Sequence, residues 1–323
     1  MTCRAPLEAA REKKGQGKPL IYQRGQRPKT LAEGYEALEL PCGQCRGCRL
    51  EHSKKWAMRM MHEAAYLEEF EGRYSSFITL TYDEEHLPQH ETLVKDHFQN
   101  FIKRFRRLIE PFKISYYGVG EYGSQCPDHE IIDCPLCGGI QRPHYHGIIF
   151  GWPFPDKQVL GTRDGLLVYE SKTLGRAWKF GSHEIGSCTF ESCQYVSKYI
   201  MKKVTGDKKH DHYVKYLYAT DQLVEIEPEF ALMSRNPAIG RRWYENYWPD
   251  VYPSDECPIP GRYHLSKPPR YYDSLYEYQD PDDYQKIKTK RRDEMALSLA
   301  EGPSIESRAK NEDARLALYS RKL

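Results

Sequence analysis

The sequence predicts an α+β chain, and three observations carry that reading. Short runs of β-branched and aromatic residues stand at 76–82, 113–120 and 142–150. Stretches of helical period stand at 51–70, 94–109 and 193–204. Cysteines of metal-binding spacing lie in groups apart from both. With 323 residues the chain can bury a sizeable core, as one main domain with appendages or as two modest domains. Lys and Arg number 48 against 46 Asp and Glu, so a nucleic-acid surface would be a local patch and not a global field. The 25 tyrosines suit base stacking and an ordinary core equally. No apolar run approaches the length of a membrane span, and residues 1–20 are charged where a secretory signal would be apolar, which points to a cytosolic protein without a membrane partner.

In chain order, residues 1–40 are basic and weakly periodic and read as an extended arm beginning at Cys3. Next comes Pro41-Cys42-Gly43-Gln44-Cys45-Arg46-Gly47-Cys48, a C-x2-C-x2-C knuckle able to wrap thiolates around zinc, with Cys3 or His52 as the fourth ligand. An iron–sulfur site also fits the spacing, and the bland alternative is reduced cysteines packing a turn. With ten cysteines, six of them in two tight groups, and no export signal, metal ligation is favoured over disulfides. In 51–70, Trp56, Met60, Ala64 and Leu67 form one stripe that reads as core.

The run 76–82 reads as a strand ending in the acidic turn Asp83-Glu84-Glu85. In 94–109, Phe98, Phe101, Ile102, Phe105 and Leu108 follow the helical period, leaving Lys103, Arg104, Arg106 and Arg107 on a surface that either is solvated or contacts phosphate. A second strand, 113–120, runs into Glu121. The third carries Arg142-Pro143-His144-Tyr145-His146-Gly147, where period-2 alternation puts His144 and His146 on one face and Tyr145 on the other. Two imidazoles on one face can share a divalent cation, and Glu121 is the natural third ligand if the two strands pair. Between them lies an insertion, 124–141, whose Cys126, Cys134 and Cys137, with His129 or a distant cysteine, resemble a second zinc knuckle. Glu121 reaches the histidines only if this insertion folds outward.

The stretch 152–180 reads as loop with a helical fragment, and 182–186 as a short strand. Thr189 or Ser187 then caps a helix on which Cys193, Val196, Ile200 and Val204 share one face and Tyr195, Lys198, Tyr199 and Lys202 the opposite one. Beyond 206 the chain is polar up to Met233; 233–243 is a basic turn leading to a short aromatic helix, suited to DNA backbone or to packing. From about 252 the Pro- and Tyr-rich, then highly charged segment reads as a partly disordered, extended or helical tail.

A phenol, with an ordinary pKa near 10, is a poor nucleophile and needs a cation beside the electrophile. Two histidines and a carboxylate with open positions make Mg²⁺ or Mn²⁺ workable next to a phosphodiester. Attack by tyrosine would leave a 3′-OH and a 5′-phosphotyrosine, and two tyrosines at i, i+4 permit one to hold the 5′ end while the other cuts again. Lys198 on that face can contact phosphate or assist proton transfer.

These residues resemble the HUH endonucleases, and specifically the rolling-circle replication initiators of microviruses, the gokushovirus-like single-stranded DNA phages. The resemblance rests on Phe77-Ile78-Thr79-Leu80-Thr81-Tyr82, Gly120-Glu121-Tyr122-Gly123, Arg142 to His146, Tyr195-Val196-Ser197-Lys198-Tyr199, the knuckle at 41–50 and the segment 233–243, and so covers roughly 1–250. It implies a central antiparallel sheet with the two-histidine strand in its middle and flanking helices, one presenting tyrosines across the metal. It implies an N-terminal Cys-rich arm and helix at 1–72, a nicking domain at 73–206 and a C-terminal region at 207–323. His144, His146 and Glu121 are then metal ligands, Tyr195 and Tyr199 nucleophiles and Lys198 an auxiliary. The insertion departs from the compact form of the motif. Single-stranded origin DNA is the implied partner, in the cytoplasm of a bacterial host. The chain has no Gly-x4-Gly-Lys-Ser/Thr loop, so host helicase and DNA polymerase are expected to act with it. The alternatives are a plasmid initiator or relaxase of the same chemistry, and a non-catalytic zinc-knuckle protein whose tyrosines stack on bases.

Overall fold

The computed structural model describes residues 3–12, 18–22, 34–123, 142–163, 165–199, 209–217, 221–301 and positions 304, 306, 307, 309–311, 313 and 314. It divides into one unit of residues 1–52 with 277–323, and a second of residues 53–276.

The first unit corrects the reading of 1–40 as an extended arm. β1 (Leu7–Glu12) pairs antiparallel with both β2 (Leu20–Tyr22) and β3 (Tyr35–Leu40), in the order β2-β1-β3. Its pattern is faint in the sequence because its inner face is small: Ala9 and Ala10 are buried, while Leu20 and Ile21 are exposed. Helix α1 (Arg46–Glu71) begins within the cysteine knuckle and continues into the second unit.

The second unit is built on a sheet of seven strands, all paired antiparallel. β4 (Ser76–Thr81) is followed by α2 (Lys95–Leu108), β5 (Ser115–Tyr122) and β6 (Pro143–Phe150). Then come β7 (Lys157–Arg163), β8 (Leu166–Ser171), α3 (Lys172–Ala177), β9 (His183–Ser187) and α4 (Phe190–Tyr199). After α5 (Lys209–His212), a separate hairpin of β10 (Val214–Leu217) and β11 (Gln222–Glu225) precedes β12 (Phe230–Met233). The sheet order is β12-β5-β6-β4-β9-β8-β7, which puts the two-histidine strand β6 between β5 and β4 as expected.

Both sheet faces are covered, and β6 is accordingly buried along almost its whole length. On the Tyr145 face, the helical stripe Phe98, Phe101, Ile102 and Phe105 of α2 packs with Ile78, Leu80, Tyr145 and Trp178. Gly118 makes room for this: a Cβ there would stand 2.1 Å from the Phe98 ring. The Tyr145 hydroxyl is satisfied in place, 2.7 Å from the Tyr82 hydroxyl and donating to Val94 O at 2.9 Å. The basic residues of α2 therefore lie on the side of the sheet away from the histidines. Arg104 donates to Ala177 O at 2.8 Å, which favours packing over a phosphate contact for that residue.

On the other face, the Trp56 ring of α1 lies 5.1 Å from Tyr117 of β5, and Ser53 of α1 bonds Ser197 of α4 at 3.0 Å. α1 is buried on more than the single stripe its apolar residues suggest, because it also buries His62 and Glu63. Glu63 accepts from Ser115 Oγ at 2.7 Å, Gly240 N at 2.9 Å and Arg242 at 3.1 Å. Through these bonds α1 holds the start of α6 (Arg241–Val251), where Trp243 and Tyr244 are buried, so 233–243 serves packing here.

The segment after 252 is also packed, contrary to a disordered tail: Tyr252, Cys257, Ile259 and Tyr272 are buried, the last on α7 (Arg270–Gln279). Few apolar residues in regular spacing mark it, because its burial is aromatic and polar; Tyr252 donates to Asp273 at 3.1 Å. α8 (Pro281–Glu301) belongs to the first unit.

Candidate active site

Register builds the site. β5 and β6 pair without interruption from Ser115↔Phe150 to Tyr122↔Pro143, which sets Glu121 directly across from His144. On the other side of β6, β4 sets Thr79 across from His146. The chain leaves the sheet after Gly123 and returns at Arg142, joined by a Gly123 N to Arg142 O bond of 3.3 Å, so the 124–141 insertion does not come between Glu121 and the histidines. The insertion itself, with Cys126, His129, Cys134 and Cys137, lies outside the described residues.

Glu121 Oε1 stands 2.8 Å from His144 Nε2 and 3.0 Å from His146 Nε2. The opposite ring nitrogens are engaged: His144 Nδ1 lies 3.2 Å from Arg142 O, and His146 Nδ1 3.0 Å from Thr79 Oγ1. A carbonyl can only accept, so Nδ1 of His144 carries the proton and Nε2 is left as the ligating atom. Lone pairs of two imidazoles and a carboxylate thus converge, an arrangement that calls for protons on the rings or a shared cation. One donor atom from each of Glu121, His144 and His146 fits within 4.8 Å of the others, a spacing suited to one divalent ion. Burial opposes ionisation of Glu121, but the hydrogen bonds and charge of His144 and His146 outweigh it and hold the carboxyl below its ordinary range.

The nucleophile helix is held beside this cluster. Thr189 caps α4, since its Oγ1 accepts from Ser192 N at 3.2 Å while Ser192 Oγ accepts from Thr189 N at 2.8 Å, a reciprocal cap with serine in the place usual for glutamate. Cys193, Val196 and Ser197 face inward and are buried. Tyr195 faces outward at 40 % exposure, its ring edge-on to His146 with centroids 5.2 Å apart and 6.2 Å from Phe77. Glu121 and His146 are buried and His144 is half-buried, so solvent reaches the cluster past His144 and Tyr195. Lys198 is half-buried on the same helix; Tyr199 closes the helix, and its side chain lies outside the described residues.

Thr79, Phe77 and Arg142 are the members that residue-by-residue reading missed. Thr79 and Phe77 lie in the run 76–82, which reads only as a strand, and their alternation with Ile78 and Leu80 is the available signal. Arg142 contributes its carbonyl to His144 while its guanidinium donates to Tyr82 O at 2.9 Å and pairs with Glu84. The four cysteines Cys3, Cys42, Cys45 and Cys48 are also brought together, in the first unit, with Cys3 and not His52 completing the set.

Residues 75–204 match a family model of phage type, described as that of the replication-associated protein ORF2. The chain is 28 % identical to the replication-associated protein ORF2 of Spiroplasma virus 4, over 96 % of this chain and 91 % of that protein. It is 28 % identical to the replication-associated protein VP4 of Bdellovibrio phage phiMH2K, over 91 % and 85 % respectively. This chain is related to phage replication-associated proteins. A third relative, the replication-associated protein ORF4 of Chlamydia phage 1, is 34 % identical over 51 % of this chain and 38 % of its own length. No solved structure matches significantly. These relatives bear out the resemblance to microvirus replication initiators, and the segment matched by the family model contains Glu121, His144, His146, Tyr195, Lys198 and Tyr199. No helix among the described residues is long and apolar enough to cross a membrane.

Proposed function

We propose that the protein initiates phage rolling-circle replication by nicking single-stranded origin DNA through a 5′-phosphotyrosine and later rejoining it. The observation that carries this reading is the exposed Tyr195 edge-on to His146, 5.2 Å between rings, beside the converging Glu121–His144–His146 cluster. In the first step Tyr195 Oη bonds to the scissile phosphorus, the P–O3′ bond breaks, and the departing 3′ oxygen takes a proton as the phenol gives one up. A Mg²⁺ or Mn²⁺ ion held by Glu121, His144 and His146 would polarise the phosphate and offset its developing charge. Thr79 and the Arg142 carbonyl keep the two rings oriented, and Lys198 serves the phosphate from the same helix. Tyr199, one helical turn on, is the second nucleophile, for the cut that releases a closed circle. Host helicase and polymerase, in a bacterial cytoplasm, extend the freed 3′-OH.

The test is to incubate the full chain with Mn²⁺ and single-stranded DNA spanning the phage origin and to look for a covalent adduct that survives denaturation. Replacing both nucleophiles, Tyr195→Phe with Tyr199→Phe, should lower adduct formation by on the order of 10⁴-fold or more, as removal of covalent nucleophiles does elsewhere. An adduct that persists in the double variant overturns the nucleophile assignment. Tight DNA binding with no adduct on any segment of the phage genome would instead favour a zinc-knuckle binding protein.

A further inference from the structure

We propose that Cys3, Cys42, Cys45 and Cys48 bind a single zinc ion in a closed tetrahedral site, and that this ion takes the place of a hydrophobic core in the first unit. The inference is independent of the nicking reading.

The spacing is the first argument. Zinc–thiolate bonds of about 2.3 Å at tetrahedral angles put the sulfurs about 3.8 Å apart. Here Cys42 Sγ and Cys48 Sγ are 4.0 Å apart, Cys45 Sγ and Cys3 Sγ 3.9 Å, and all four lie within 4.8 Å of one another. A disulfide requires about 2.05 Å, and all four thiols are free. An iron–sulfur cluster interposes inorganic sulfide and spreads its thiolates more widely than one ion does, so a lone tetrahedral cation of the zinc type fits better.

Main-chain donors are the second argument. Cys42 N donates to Cys3 Sγ, Cys45 N to Cys42 Sγ and Arg4 N to Cys45 Sγ, each at 3.3 Å. Amides aimed at sulfur stabilise thiolate far more than thiol. Gly43, at φ +71°, supplies the left-handed turn that swings the knuckle around, and Cys48 sits in the first turn of α1, where the helix end favours an anionic ligand.

The third argument is what the unit otherwise lacks. Among the described residues its buried apolar side chains are Cys3, Ala9, Ala10, Cys48, Tyr284 and Ile287. That is too little to order a three-stranded sheet, and small units of this kind are completed by metals or disulfides. The ion would join Cys3, four residues ahead of β1, to the knuckle just after β3. Arg4 and Arg46, each next in sequence to a ligand, would thereby be presented to Asp313: Arg4 binds it through two nitrogens at 2.7 and 3.1 Å, and Arg46 reaches it at 3.4 Å.

The experiment uses the full reduced chain, loaded with zinc and dialysed against a chelator, with bound metal counted per chain. The double variant Cys42→Ser with Cys45→Ser should hold one zinc fewer than the parent, whatever further zinc the 124–141 cysteines contribute. Cobalt loading gives a readout that does not depend on the variant folding. The parent should show intense sulfur-to-cobalt charge transfer, and Cys3→His should shift that spectrum by replacing one thiolate. Equal zinc in the parent and the double variant overturns the proposal, as does a cobalt spectrum that Cys3→His leaves unchanged.

Discussion

The Glu121–His144–His146 cluster hangs on a seven-stranded sheet covered on both faces, whereas the four cysteines sit beside a three-stranded sheet that buries little more than two alanines. In the first case apolar packing fixes the backbone, and the ligands are consequences of strand register. In the second the ligands themselves supply much of what holds the chain. Similar ligand clusters in one protein thus stand on opposite sides of cause and effect: one is organised by the fold, the other organises it. Chelation should therefore silence the first site without unfolding its unit, and should loosen the second.

The largest expected effect that can break this contrast comes from the core of the sheet. Phe98→Ala removes a ring packed on Tyr145 and Gly118 and should cost about 3–5 kcal/mol in chemical denaturation of the unit at 53–276, followed by tryptophan fluorescence. Zinc bound by Cys3, Cys42, Cys45 and Cys48 should be unaffected; co-ordinate loss of zinc would mean that the two clusters do not stand on separate supports.

A second, smaller effect concerns the buried His62. Its ring stacks on Trp243 at 3.6 Å, with Nε2 donating to Pro258 O at 2.8 Å and Nδ1 accepting from Tyr272 at 2.9 Å, so the neutral form is fully satisfied. Burial, only partly offset by the Pro258 bond, pushes its pKa down to about 3. The unfolded chain takes up this proton near pH 6.5 and the folded one does not, so stability is complete above that pH and falls as pH drops towards 3. By pH 5 the loss should reach about 2 kcal/mol, and His62→Gln should flatten that part of the profile. An unchanged profile in the variant would remove His62 as the cause.

The smallest effect sharpens how the fold serves the site. Thr79→Val deletes the hydroxyl beside His146 Nδ1 while keeping the strand's shape, and nicking should fall about 10- to 100-fold with melting little changed. Full activity in this variant would show that β4 does not orient the ring.

Much of the second unit is legible in the sequence because its signals are local. The Phe98, Phe101, Ile102 and Phe105 stripe is buried as its period predicts, and strands 76–82 and 142–150 fall on β4 and β6. The pair β7 and β8 reads as loop although Asp164-Gly165 is a hairpin signal, and Gly165 does adopt φ +78°. Val159, Leu160, Leu166 and Leu167 are all exposed, which spoils the alternation of a half-buried strand and hides the pair. β12 is hidden for another reason: four residues after a polar stretch acquire meaning only through pairing with β5, Phe230 against Gly120.

By itself the sequence determined which chemistry was available: two histidines on one strand face, a carboxylate at the end of another strand, tyrosines on one helix face and a knuckle of thiols, because side-chain direction follows from 2.0 and 3.6 periodicity. The tertiary structure alone decided which of these meet. Pairing across β5, β6 and β4 set Glu121 against His144 and Thr79 against His146, docking of α4 brought Tyr195 to His146, and Cys3 rather than His52 joined the knuckle. Those contacts span 23 to 67 residues of chain wherever two strands supply them. No local period encodes such a distance; burial of both sheet faces does, because a slip of one residue would turn the histidines into the aromatic core.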